Sequence, residues 1–256
     1  MGTVTEEERL WLTVDWDRLP LGESYGHVAV FDEAGRNVNR FPVLAVKKIP
    51  PEAGAYSEAN GYVVLEAAHF SRQKTGVDGS YFSPVSNLGL RSDSLKLYPD
   101  LSRRVEGDIR AWAASVTYRI RFDAAGTFDA ALFRLPTLSE GSEDGVERSC
   151  QIAVAMDAQE LVILRGNRDT RGTWGDNVMR GYEPLHFSVT VDAPGYHELT
   201  VYQLDPSIVF ECIVITTDPG ILDRSLLGPP ESPRGDSTIL SGHGTVSSDC
   251  GIAAFK

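Results

Sequence analysis

The chain has too few cysteines, and too widely spaced, for a covalent framework. Cys150, Cys212 and Cys250 stand far apart, whereas a disulfide scaffold or a zinc site draws on closely spaced pairs. Cys150 and Cys212 lie in apolar runs and read as buried strand residues. Positive charge is also scarce: 24 Lys and Arg stand against 36 Asp and Glu, a net charge of −12. That balance excludes nucleic acid and anionic membranes as partners, because a phosphate-binding surface needs a basic stripe that releases counterions. No apolar run reaches the roughly 18 residues of a bilayer-spanning helix. Residues Gly2 to Glu8 lack the basic start and apolar stretch of a secretory signal. There is no Asn-x-Ser/Thr sequon, and neither H-E-x-x-H nor G-x-x-x-x-G-K-[ST] occurs. No two of the five histidines have metal-ligand spacing on one face.

What the sequence does have is alternation. Val116, Tyr118, Ile120 and Phe122 point one way while Ser115, Thr117, Arg119 and Arg121 point the other. Cys150, Ile152, Val154 and Met156 repeat the pattern, as do Leu185, Phe187, Val189 and Val191. A period of two is the mark of a β-strand. Adding Tyr62–Leu65, Leu95–Tyr98, Phe128–Phe133, Leu161–Leu164, His197–Leu204 and Ile208–Ile215 predicts about nine strands at regular spacing. No helical period runs beyond about two turns. The expected fold is all-β, an antiparallel β-sandwich or jelly roll. Asp205-Pro206 and Asp218-Pro219 each close a strand, since proline cannot donate to the ladder.

Composition divides the chain further. Residues 1–50 hold three short runs, Trp11–Val14, His27–Phe31 and Phe41–Val46, too few to close a sandwich; they read as a partial immunoglobulin-like β-segment. Residues 51–56 form a linker and residues 57–228 the main body. Residues 229–256, rich in Pro, Gly and Ser, read as a flexible tail. Arg234-Gly235-Asp236 and Gly235-Asp236-Ser237 inside it are chance motifs, since no strand–turn–helix presents the serine.

Five segments in order carry a family resemblance: Gly61–Arg72 (GYVVLEAAHFSR), Asn87–Leu95 (NLGLRSDSL), Phe133–Leu138 with Ile152–Asp157, Trp174–Val178, and Pro194–Ser232 with its two Asp-Pro stops. Together they resemble the C-terminal domain of glycoside hydrolase family 115, the xylan α-glucuronidases, and Val14–Pro20 resembles the β-domain that precedes it. The resemblance implies a galactose-binding-like jelly roll of the carbohydrate-binding-module type. It also implies a secreted or periplasmic parent whose catalytic residues lie in domains absent from this chain. The partners it implies are glucuronoxylan or a related plant polysaccharide, and either those catalytic domains or a second subunit. Glycosidic cleavage needs two positioned carboxylates about 5–10 Å apart, and none of the 36 acidic residues sits in a motif that singles it out. The chain alone is therefore expected not to be an enzyme.

The segment Arg165–Asn177 holds the inventory of a sugar contact: Arg165, Arg168, Arg171, Trp174 and Asn177. A ring stacks on the apolar face of a pyranose, and a guanidinium fork suits a uronate carboxylate. The same residues also fit a solvated loop with Trp174 packed on the sandwich edge. In sugar-binding relatives an Asn of the last strand contacts ligand; here that position is Val209. Those modules also carry two alternate glutamates for a structural calcium, where this chain has Glu66 and then Ala68. Glu66 with Glu211 remains a weak calcium candidate, and no other cofactor is expected.

Overall fold

The computed structural model describes residues 12–59, 61–90, 93–100, 102–137, 150–166, 173–222 and 228–235. It divides into two compact units, with the boundary between Pro50 and Pro51. In the first, strand β1 (Gly22–Phe31) pairs antiparallel with β2 (Asn37–Lys47). The connecting turn is held by Asp32, whose carboxylate accepts the Arg36 backbone N–H and pairs with its guanidinium, both at 2.8 Å. Two of the three expected runs are thus strands, whereas Leu12–Val14 is not. Tyr25, Phe31, Val38, Phe41 and Leu44 on this hairpin are exposed.

The second unit holds the sandwich. Its strands are β3 (Tyr56–Ser57), β4 (Tyr62–Glu66), β5 (Arg72–Lys74), β6 (Tyr81–Val85), β7 (Ser94–Tyr98) and β8 (Ser115–Phe122). They are followed by β9 (Gly126–Arg134), β10 (Gln151–Met156), β11 (Val162–Arg165), β12 (Glu183–Val191), β13 (Gly195–Gln203) and β14 (Val209–Thr216). One sheet runs β11-β10-β13-β8, and the free edge of β8 is shared end to end by β3 and β5. The other runs β12-β9-β14, and the far edge of β14 is shared by β4 and β7, with β6 beyond. Among the described residues every strand pairing is antiparallel except that of β3 with β8. All nine expected runs are strands. The three extra ones, β3, β5 and β6, are short, and their sequences YS, RQK and YFSPV carry no alternation.

Alternation decides the core. Val116, Tyr118, Ile120 and Phe122 of β8 face Phe128, Ala130 and Leu132 of β9 across one apolar cluster; each large side chain so buried contributes about 1.5–3 kcal/mol relative to exposure. The Tyr118 hydroxyl, sealed inside, donates to the Ala67 carbonyl at 2.7 Å. The outward faces are covered as well. Val64, Ala131, Cys212, Val214 and Leu222 form one outer cluster, and Ala113, Ala153, Ala155, Tyr202 and Leu204 form another. Strand β14 is consequently buried along its whole length, which is why VFECIVIT reads as a continuous run. Cys150 and Cys212 are buried, and burial pushes the Cys150 pKa up.

Residues 229–235, expected within a flexible tail, instead strap onto the body. The Ser232 N–H donates to the Val64 carbonyl at 3.0 Å, and the Val64 N–H donates back to Ser232 Oγ at 2.8 Å. Glu231 Oε1 accepts from the Tyr56 hydroxyl at 2.7 Å and lies 2.6 Å from His69 Nδ1. Gly235 exchanges backbone hydrogen bonds with Gly54 and Ala55, and a Cβ there would stand 2.2 Å from the Glu52 carbonyl oxygen. Composition reads this stretch as loose because these contacts are made by backbone and by the polar side chains of Glu231 and Ser232 rather than by an apolar run.

Candidate functional site

Strands β11 and β12 are edge strands of opposite sheets, so the segment between them carries the chain across the side of the sandwich. Arg165 closes β11 opposite Gln151 and is exposed. Arg168 and Arg171 lie outside the described residues. The expected loop is a helix at its far end: Trp174 falls in the first turn of α2 (Thr173–Arg180). Asp176 in the first turn and Arg180 in the last complement the helix dipole. Gly181 at φ 82° ends it, donating to the Asn177 carbonyl at 2.9 Å in the left-handed cap that glycine favours. The side chain of Asn177 is buried, so it supports the helix against the body and does not face solvent. Of the candidate sugar contacts whose side chains are described, Arg165 presents itself outward and Asn177 does not.

Below this crossover lies a feature that sequence reading missed. Arg134, at the end of β9, is fully buried and is the direct cross-strand partner of Glu183 in β12. Its Nε and Nη2 reach Glu183 Oε2 at 3.0 and 2.6 Å, and its Nη1 donates to Thr137 Oγ1 at 2.9 Å. Thr137 Oγ1 in turn donates to the Ser207 carbonyl. Gly166, directly after Arg165, is wedged on this pair: a Cβ there would lie 2.7 Å from Arg134 Nε and 2.8 Å from Glu183 Oε2. The arginine-rich segment therefore leaves the sandwich from a rigid, buried base. The available signal was a lone arginine ending the apolar run Ala130-Ala131-Leu132-Phe133.

The calcium candidates come together on another face. Glu66 pairs in register with Cys212 and alternates with Val64, which puts it on the outer side of the second sheet. Glu211 stands at a register irregularity of β14 between Phe210 and Cys212. Both carboxylates are buried. Glu211 Oε2 accepts the Leu90 N–H at 3.2 Å, and Gly89 leaves it room, since a Cβ there would lie 2.9 Å away. Glu211 Oε1 has no hydrogen-bond partner. Calcium takes six to eight oxygens, and among the described residues no group of three or more His, Cys, Asp or Glu could hold a metal. Glu66 and Glu211 are the residues that would contribute to one. Val209 is buried and offers its carbonyl to the Leu135 N–H at 3.0 Å.

Two facing, almost wholly antiparallel sheets define a β-sandwich. The profile of the Glycosyl hydrolase family 115 C-terminal domain matches residues 55–231, more than half of the chain, and the chain belongs to this family. What matches is the C-terminal domain, not a catalytic one. No curated protein matches the chain. Among solved structures it is similar to a GH115 4-O-methyl-α-glucuronidase, BtGH115A, with specificity for decorated arabinogalactans, at 13% identity and TM-score 0.45. That match covers 67% of this chain and 19% of the other, so the chain spans about a fifth of that enzyme's length. It is also similar to the Podospora anserina GH26-CBM35 β-(1,4)-mannanase (11% identity, TM-score 0.40, 63% of this chain and 29% of that one). A third likeness is to a family 35 carbohydrate-binding module from Clostridium thermocellum (6% identity, TM-score 0.38, 60% and 96%).

Proposed function

We propose that this chain is a non-catalytic accessory domain of a xylan α-glucuronidase and helps it recognise glucuronoxylan. The observation that carries the reading is the exposed Arg165, at the head of a segment with three arginines in seven residues of a chain of net charge −12. A guanidinium binds a uronate in bidentate, charge-assisted fashion. Trp174, nine residues on in the same crossover, supplies a ring for stacking. In affinity electrophoresis the chain is expected to be retarded by glucuronoxylan and not by xylan stripped of its uronates, and Arg165→Ala to weaken the retardation. Unretarded wild-type migration overturns the reading. Catalysis would need two opposed carboxylates in one open pocket, whereas Glu183 is committed to Arg134. Purified chain is expected to release no 4-O-methylglucuronic acid.

A second reading rests on the β1–β2 hairpin. A two-stranded ribbon with Tyr25, Phe31, Phe41 and Leu44 exposed is poorly stable alone, which supports packing on the catalytic part or a second subunit. Size-exclusion chromatography tests the latter: a dimer supports it, and a monomer at high concentration counts against it.

A further inference from the structure

The end of the sandwich that carries Arg165 holds a second exposed group, which the uronate contact does not use. Helix α1 (Ile109–Trp112) lies over the outer face of the first sheet, where Ile109 and the following Ala113 pack with Ala153, Ala155 and Tyr202. Trp112 closes this helix and is 45% exposed. Its six-membered ring rests on Gly107, at φ 99°: a Cβ there would collide with Cζ3 and lie 3.0 Å from Cη2, so only glycine lets the indole lie down on the backbone. The frame around the ring is fixed. The Val77 N–H donates to the Trp112 carbonyl at 2.9 Å, the Trp112 N–H to the Asp108 carbonyl at 2.9 Å, and Asp108 Oδ1 accepts the Ala111 N–H at 3.0 Å. Arg103, Glu106 and Asp108 stand exposed on the loop that leads to the ring. A flat apolar face, covered behind and rimmed by donors and acceptors, suits a pyranose: axial C–H groups stack on the indole and equatorial hydroxyls meet the rim. Trp112 and Val77 alone are too small a patch to hold a protein partner.

Position says which pyranose. Ile152 of β10 lies opposite Gln203 of β13, and Ser115 of β8 opposite Tyr202, so β10 and β8 start at the same end of the sheet. Arg165 pairs with Gln151 at that end, and Trp112 stands three residues before Ser115. Strands β11 and β8 are three strand spacings apart, about 14 Å. The ground between is bridged by Arg104, three residues before Gly107, whose Nη2 donates to Gln151 Oε1 at 3.0 Å. We propose that Trp112 stacks on a neutral xylosyl residue of the main chain whose uronate branch Arg165 holds, so that the domain grips one glucuronoxylan chain at two points. The proposal rests on the uronate reading of Arg165. A single half-exposed ring is too weak to retain unbranched xylan; joined to the uronate contact, it acts within one ligand and adds to its affinity. The separation requires a backbone several residues long.

The test is isothermal titration of the full chain with two xylo-oligosaccharides that each carry one 4-O-methylglucuronic acid. One has its backbone trimmed to the branched residue and its two neighbours, and the other is extended by several residues on both sides. The extended ligand is expected to bind about tenfold more tightly. Trp112→Ala is expected to remove that gain and leave the affinity for the trimmed ligand unchanged, and Trp112→Phe to keep most of the gain. On the wild-type chain the Trp112 indole N–H resonance is expected to shift with the extended ligand and not with the trimmed one, a readout that stands even if a variant does not fold. Affinity independent of length, or a gain that survives Trp112→Ala, would overturn the stacking contact while leaving the uronate contact in place. Binding of neither ligand would overturn both.

Discussion

Arg134 and Glu183 are direct cross-strand partners whose ion pair is closed from solvent: two guanidinium nitrogens reach the same carboxylate oxygen, at 3.0 and 2.6 Å, and the arginine has no exposed surface. Burying two charges is expensive, and their attraction together with added hydrogen bonds roughly offsets it. The pair ties β9 to β12 directly under the crossover that carries Arg165 and α2. Its role is to fix where that crossover leaves the body.

Removing one partner strands the other charge in the core. Glu183→Leu is expected to destabilise the sandwich by about 3–5 kcal/mol in urea unfolding, while Arg134→Met with Glu183→Leu costs far less. A double variant as unstable as the single one would contradict a desolvated pair.

Gly166 is expected to be intolerant of even one carbon. Its Cβ would meet Arg134 and Glu183 below 3 Å, so Gly166→Ala should cost about 1–3 kcal/mol. The effect should shrink in the Arg134→Met and Glu183→Leu background, because neighbouring sites do not add. Thermal unfolding of the four variants checks both statements.

His197 makes stability pH-dependent. Burial disfavours its charge, but its Nδ1 lies 2.7 Å from Asp157 Oδ2 and its Nε2 2.8 Å from the Ala193 carbonyl, and these acceptors raise its pKa above the ordinary value. A raised folded pKa stabilises fully below the unfolded value of about 6.5, and the gain is lost as pH climbs through the folded one. The stability gap between wild type and His197→Asn is therefore expected to be wide at about pH 5.5 and narrow at about pH 9. A gap that widens with pH would contradict the assignment.

The C-terminal strap should respond to one hydroxyl. Ser232→Ala leaves the buried Val64 N–H without its acceptor, at a cost of about 1–3 kcal/mol. Hydrogen exchange at Val64 is expected to quicken relative to Ile213.

The strands were legible because a period of two in Val116–Phe122 or Leu185–Val191 follows directly from burial on one face. Strand β14 was legible through its Asp-Pro boundaries even though both its faces are covered. The strap was not: Ser232, Arg234 and Gly235 hold on by backbone bridges and polar side chains, which leave no hydrophobic signature. The helix at Thr173–Arg180 was hidden because its two turns, with Gly175 inside, fall near the lower limit of any periodic signal. In the candidate site, residue type identified Arg165, but nothing local distinguishes a buried Asn177 from an exposed one. The pairing of Arg134 with Glu183, 49 residues apart, exists only once β9 and β12 lie side by side.

The central claim is that the domain reads the acid group of a glucuronoxylan. Isothermal titration of the wild-type chain with xylo-oligosaccharides that carry a 4-O-methylglucuronic acid branch, against the same oligosaccharides without it, tests this directly. The account predicts binding of the branched series alone, weakened about tenfold or more by Arg165→Ala, the loss of one charge-assisted contact. Equal affinity for both series, or no binding of either, would contradict it.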